Sequence, residues 1–127
     1  MNQKKGKTLS IMRQFFVYDL GSQTLTGNAQ NTYPITIETD ADFECVNLVY
    51  ISTSTLNFQI KQADRTWFLH ALDSRLVAGT AQYPYILPVP RIIRRNTTLQ
   101  VTVTDTSGSS NTFNIALLGN KLYRQVR

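Results

Sequence analysis

Apolar residues in this chain recur at every second position, and nowhere do they keep helical spacing over a dozen residues. Leu99, Val101 and Val103 alternate with Gln100, Thr102 and Thr104, and Leu56, Phe58 and Ile60 alternate with Asn57, Gln59 and Lys61. Phe113, Ile115 and Leu117 keep the same period. A helix would scatter such residues around its circumference, whereas a strand gathers them on one face. Tyr33, Ile35 and Ile37 also alternate, around a Pro34 that cannot donate to a ladder and so belongs at a strand start or an edge.

The remaining segments fit the same reading. Arg13 to Leu20 is aromatic and β-branched and stops at Gly21-Ser22, after which polar residues with Gly27 run to Thr32 as a loop or hairpin connection. Asp40-Ala41-Asp42 reads as a turn, and Phe43 to Ser52 is nearly continuous in apolar character. The two strands around Leu99–Thr104 and Phe113–Leu117, joined by the Gly-containing stretch Thr106 to Ser110, predict a β-hairpin. Gly119-Asn120 would end it, before the basic tail Lys121 to Arg127. Trp67 to Leu72 fits either a strand or one helical turn. Tyr83 to Arg91 carries Pro84, Pro88 and Pro90 and predicts an extended edge segment rather than a central strand. The expected fold is all-β, an antiparallel β-sandwich or jelly roll of about seven to eight strands. One domain over residues 11–127 would carry an extended N-terminal arm, residues 1–10, and a short basic C-terminal tail.

Composition narrows the chemistry. With 127 residues, 42% hydrophobic and 17% charged, the chain has enough apolar material for one core. One Cys and one His allow no internal disulfide and no zinc site built from several such residues. A triad would have to use His70, and no G-x-S-x-G elbow presents a serine to it. Cys45 lies within an apolar strand, where thiols are inert. Asp40, Asp42 and Glu44, two apart, could offer oxygens to Ca²⁺ but lack the glycine and later Glu of an EF-hand loop, and read as a solvated turn. No Lys-Ser or Lys-Thr pair follows the two glycines, five residues apart, of a phosphate loop. The expectation is a binding or structural protein with no catalytic residue, cofactor or metal. Leu9 to Met12 is too short for a signal peptide, and no apolar run reaches membrane-spanning length. Cytoplasmic synthesis without a membrane partner is the expectation, consistent with the lone Cys.

The net charge of +5 is gathered in three places: Lys4, Lys5 and Lys7; Arg91, Arg94 and Arg95; and Lys121, Arg124 and Arg127. With Tyr83, Tyr85 and Tyr123 such charge could serve a nucleic-acid reader, but +5 over the whole chain is moderate, and docking onto acidic protein surfaces is the better reading. Asn96-Thr97-Thr98 matches a glycosylation sequon and reads as a turn before a strand.

Tyr83-Pro84-Tyr85-Ile86-Leu87-Pro88-Val89-Pro90-Arg91, leading into Asn96-Thr97-Thr98-Leu99-Gln100-Val101, resembles a pattern in small structural proteins of tailed bacteriophages, as do Asp40-Ala41-Asp42-Phe43 and the closing Gly119-Asn120-Lys121. The likeness covers roughly residues 12–123. It implies a β-sandwich virion component of the capsid, a decoration (cement) protein that bridges major capsid protein subunits and forms a dimer or trimer on the shell. It supplies no catalytic residue. The partner-binding residues expected on this reading are Lys4, Lys5 and Lys7 in the arm, Tyr83, Tyr85, Arg91, Arg94 and Arg95 in the proline segment, and Lys121 and Arg124 in the tail. A neck, collar or tail component is the alternative, followed by a glycan- or receptor-binding module using Trp67 or Tyr85.

Overall fold

A computed structural model describes residues 9–80 and 82–126. Ten strands and one helical turn form two antiparallel sheets packed face to face. The first sheet contains β1 (Leu9–Asp19), β2 (Gln23–Leu25), β4 (Asp42–Ser52), β8 (Tyr85–Ile93) and β10 (Asn111–Val126). Its order is β1-β10-β4-β8, with β2 beside the start of β10 on the side that β1 occupies further along. The second sheet contains β3 (Gln30–Thr36), β5 (Leu56–Gln62), β6 (Arg65–Thr66), β7 (Leu72–Asp73) and β9 (Thr98–Asp105), ordered β3-β9-β5-β6, with β7 also on β5. The short helix α1 (Ser74–Val77) starts at Asp73, whose carboxylate accepts from the Arg75 amide at 2.8 Å.

The alternating residues meet between the sheets. Phe43, Leu48, Phe113, Ile115 and Leu117 of the first sheet pack against Ile35, Phe58, Ile60, Leu99, Val101 and Val103 of the second, all buried. Tyr18 joins Phe16 and Phe43 in edge-to-face contacts with ring centroids 4.9 and 4.8 Å apart.

Two sequence expectations are corrected here. Residues 99–104 and 113–117 do not pair as a hairpin: β9 lies in the second sheet and β10 in the first, so the chain arches across the core between them. Asp105 organises that arch. Its buried carboxylate accepts hydrogen bonds from the backbone of Asn28, Ser107 and Gly108, and from the side chains of Ser107 and Asn111. Period-two alternation shows which face is buried but not which strand lies alongside.

Residues 121–126 are likewise no loose tail. They continue β10 and pair with β1 from Leu9 onward, Leu9 opposite Val126. Leu9 and Ser10 thus belong to the sheet rather than to an arm. The strand passes Gly119 through a β-bulge that leaves Val46 unpaired in the register between Cys45 and Asn47. A Cβ at Gly119 would overlap the Glu44 carbonyl oxygen, so this close approach requires glycine.

Candidate functional site

The proline segment forms β8, an edge strand, as expected from its composition. It pairs with β4 at Tyr85–Ile86 and again at Arg91–Ile93, and the residues between them bulge away. Pro88 and Pro90 fall in that bulge, where their missing N–H groups cost no ladder bond. The strand is solvent-rich: Tyr83, Tyr85, Val89, Arg91, Arg94 and Arg95 are all exposed. Arg91 lies over the Trp67 ring at 4.5 Å. Arg95 anchors the strand's exit, its amide donating to the Asp42 carboxylate at 2.9 Å and its guanidinium 3.6 Å from the same group. Asn96 then turns the chain in the left-handed region, φ 64°.

The other basic clusters fare differently. Lys4, Lys5 and Lys7 lie outside the described residues. Arg124 is exposed on the outer face of β10. Lys121, expected as an exposed tail contact, points inward and is only 4% exposed. Its ammonium donates to Glu38 at 2.6 Å and to Asp40 at 3.0 Å, and lies 4.1 Å from the Phe16 ring centroid. Burial would drive its pKa down, but the hydrogen bonds to Glu38 and Asp40 outweigh that, and the group is held above the ordinary lysine range. It is a structural closure of the sandwich end and cannot reach a partner.

The three carboxylates of the Asp40–Glu44 stretch diverge. Asp40 accepts from Tyr123 at 2.7 Å and from Lys121, and those bonds hold its carboxyl below the usual range. Asp42 serves Arg95, while Glu44 accepts from Arg13 at 3.1 Å and Asn120 at 3.2 Å. Each carboxylate thus answers its own donors. Among the described residues no group of three metal-ligating side chains converges.

Cys45 is buried, its thiol pushed up to about 12 by burial, and the Sγ–H faces the Asn47 carbonyl at 3.6 Å. Such a thiol stays protonated at neutral pH and is a poor nucleophile. His70 is exposed in the segment between β6 and β7. Trp67 is only 9% exposed, which removes one of the two aromatics proposed for a sugar platform. No described helix is long and apolar enough to cross a membrane.

A surface that the sequence reading did not assign lies on the outside of the first sheet. The ladder register sets Val17, Leu118, Asn47 and Ile86 in one row and Phe15, Asn120, Glu44 and Ile92 in the next. Asp19, Ala116 and Val49 form a third row, and Ile51 lies opposite Asn114. Phe15, Ile51 and Ile86 are 66%, 72% and 66% exposed. The near-continuous apolar run Phe43–Ser52 was the available signal, since a strand with one wet face would alternate.

No family model matches the chain, and no curated protein or solved structure resembles it significantly. The phage likeness therefore rests on the motifs alone.

Proposed function

We propose that this protein is a non-catalytic structural component of a tailed-phage virion, of the capsid decoration type, which bridges major capsid protein subunits by surface contact. The observation that carries the reading is β8. It is a stiffened edge strand that presents Tyr85 and Arg91 to solvent, with Tyr83, Arg94 and Arg95 exposed on its flanks, rather than folding the tyrosines into the core. Prolines lower the entropy lost on docking, and Tyr and Arg are the residue types that dominate interface energetics. The rigid two-sheet core supports this use, because a bridging protein must transmit load between its neighbours without deforming. Many identical weak contacts, repeated over a shell, hold together through avidity.

The test is stoichiometric. Expanded capsids lacking the protein, mixed with it and sedimented, should take it up at a fixed copy number in the hundreds and melt at a higher temperature. A handful of copies per particle, located at the portal or tail, would replace the decoration reading with the neck or tail one. Tyr83→Ala combined with Arg94→Ala should weaken uptake by at least about tenfold, with an unchanged circular dichroism spectrum. Deleting residues 1–8, which stops short of β1, should also weaken uptake and leave the melting temperature of the free protein unaltered.

A further inference from the structure

We infer that the outer face of the first sheet is the contact surface for a second copy of this chain, two such sheets stacking about a two-fold axis with their strands running in opposite directions. The face is broad and apolar, with Ile11, Phe15, Val17, Ile51, Ile86 and Ile92 exposed across β1, β4 and β8. From Ile11 to Asp19, over four strands, it spans roughly 500 Å² in flat projection. Corrugation adds to that, so burying it on two copies removes on the order of 1,000–1,500 Å², the size of a specific interface. It lies toward the upper end of what a monomer ordinarily leaves bare, a size at which such patches are often functional.

Charge selects the occupant. The charges at the centre of the face already offset one another: Arg13 and Asn120 both donate to Glu44, while the Asn47 Oδ1 beside them has no hydrogen-bond partner among the described residues. A partner therefore needs no complementary charge at the centre, and a second identical surface meets that condition. At the margins the face is polar in the electrical sense. Asp19 stands at one end of β1, hydrogen-bonded by Asn114 at 2.8 Å. Arg124, opposite Ile11, stands at the other. No salt bridge among the described residues engages either one. Antiparallel stacking brings Asp19 of each copy over the Arg124 end of its mate and so pairs both charges twice; a two-fold running along the strands would lay β1 over β8 and bring neither pair together. Stacked sheets lie about 10 Å apart, which leaves room for the Phe15 side chains of the two copies to interdigitate.

This inference is independent of the virion reading, since it is measured on the purified full-length chain with no capsid present. Sedimentation velocity between about 1 and 100 μM should show a reversible monomer–dimer equilibrium; a monomer throughout, or a trimer, overturns the proposal. Phe15→Lys and Ile51→Glu should each raise the dimer dissociation constant at least about thirtyfold. Gln100→Glu, on the outer face of the other sheet, should leave it unchanged. If the Lys and Glu variants keep a native spectrum and still dimerise like the parent, the face is not the interface. Asp19→Arg should weaken the dimer about tenfold, and adding Arg124→Asp to it should restore association. Absence of that rescue overturns the antiparallel arrangement. A monomer that binds capsids through Phe15 and Ile51 would give the face to the shell instead, and equally overturns the second-copy assignment.

Discussion

The two sheets share one core and differ on the outside. On the second sheet, outward positions read Thr32, Thr36, Thr98, Gln100, Thr102 and Gln59, with hydroxyl pairs Thr32–Thr102 at 2.9 Å and Thr36–Thr98 at 3.0 Å across the β3–β9 ladder. Gln59 both donates to and accepts from the Phe68 backbone, at 2.8 and 3.1 Å. Threonine keeps β propensity while offering water a hydroxyl, so this is how the fold builds a wet face. On the first sheet the equivalent positions include Phe15, Val17, Leu118, Val49, Ile51 and Ile86, beside the polar Arg13, Glu44, Asn47, Asn114 and Asn120. The second sheet shows that one face of the sandwich can be built without such residues, so on the proposed dimer reading the apolar face adds little to the monomer's stability. The fold and the contact surface are therefore separable, and substitutions should sort accordingly.

The largest effect belongs to the shared core. Val101 is fully buried in β9, and Val101→Asp would place an unpaired carboxylate there at a cost of several kcal/mol against a total stability of about 5–15. The variant should be unfolded by circular dichroism at 25 °C. A soluble, native-like product would mean that the inward face of β9 is misassigned.

Next comes the arch that joins the sheets. Asp105→Ala strands the amide donors of Asn28, Ser107 and Gly108 and should lower the melting temperature by roughly 5–15 °C. The side-chain hydrogen bond from Ser107 and the Asn28 amide hold the Asp105 carboxyl well below the usual carboxylate range. Because the folded-state value is depressed, the native state binds fewer protons than the unfolded chain near pH 4. The contribution of Asp105 is thus complete above about pH 4 and fades as the pH drops toward the folded-state value. Wild type should lose stability steeply between about pH 4 and 2, and Asp105→Asn should be weaker at pH 7 with a shallower acid slope. Equal slopes would show that other carboxylates, such as Asp40, carry the acid response.

The arch also marks where sequence reading reaches its limit. The seven longer strands are legible from alternation, proline and turn residues, because each follows from local chemistry. Their partners are not: β9 and β10 are adjacent in sequence, yet β9 lies between β3 and β5 in one sheet and β10 between β1 and β4 in the other. Residues 121–126 and Leu9-Ser10 were invisible as strand for a related reason. Each is polar or short by itself, and each is a strand through its ladder partners: Leu9-Ser10 against Gln125-Val126, and residues 121–124 against Ile11–Gln14. β2, β6 and β7, at two or three residues, are too short to show a period. In the candidate contact site, the exposed edge character of Tyr83–Arg95 was readable from three prolines. The inward turn of Lys121 was not, since its partners Glu38 and Asp40 lie more than eighty residues away.

Lys121 gives a smaller effect that tests whether charge or packing closes the sandwich end. Glu38 and Asp40 are 58% and 45% exposed, so water can solvate them if the lysine is lost. Lys121→Met keeps the stem over Phe16 and removes the burial cost of an ammonium; stability should change by no more than about 1 kcal/mol in either direction. A loss of 3 kcal/mol or more in urea unfolding would mean that the ion pairs, rather than the apolar stem, hold β10 to the turn before β4.

The smallest effect is expected where the two sheets differ most. Ile51→Thr on the first sheet converts an outward position to the chemistry that the second sheet already uses. Ile51 has little buried area to forfeit and threonine has comparable strand propensity, so the monomer should shift by less than about 0.5 kcal/mol. The reciprocal change, Thr102→Val, gives up an exposed hydroxyl pair with Thr32 and should be equally mild. The two variants should part only as concentration rises. Binding to the native state raises the apparent melting temperature by mass action, so wild type and Thr102→Val should melt higher at 100 μM than at 1 μM. Ile51→Thr should lose most of that dependence. Were Ile51→Thr instead to destabilise the dilute monomer as much as a core truncation does, by 2 kcal/mol or more, the outer face would belong to the fold, and the distinction between the two sheets would disappear.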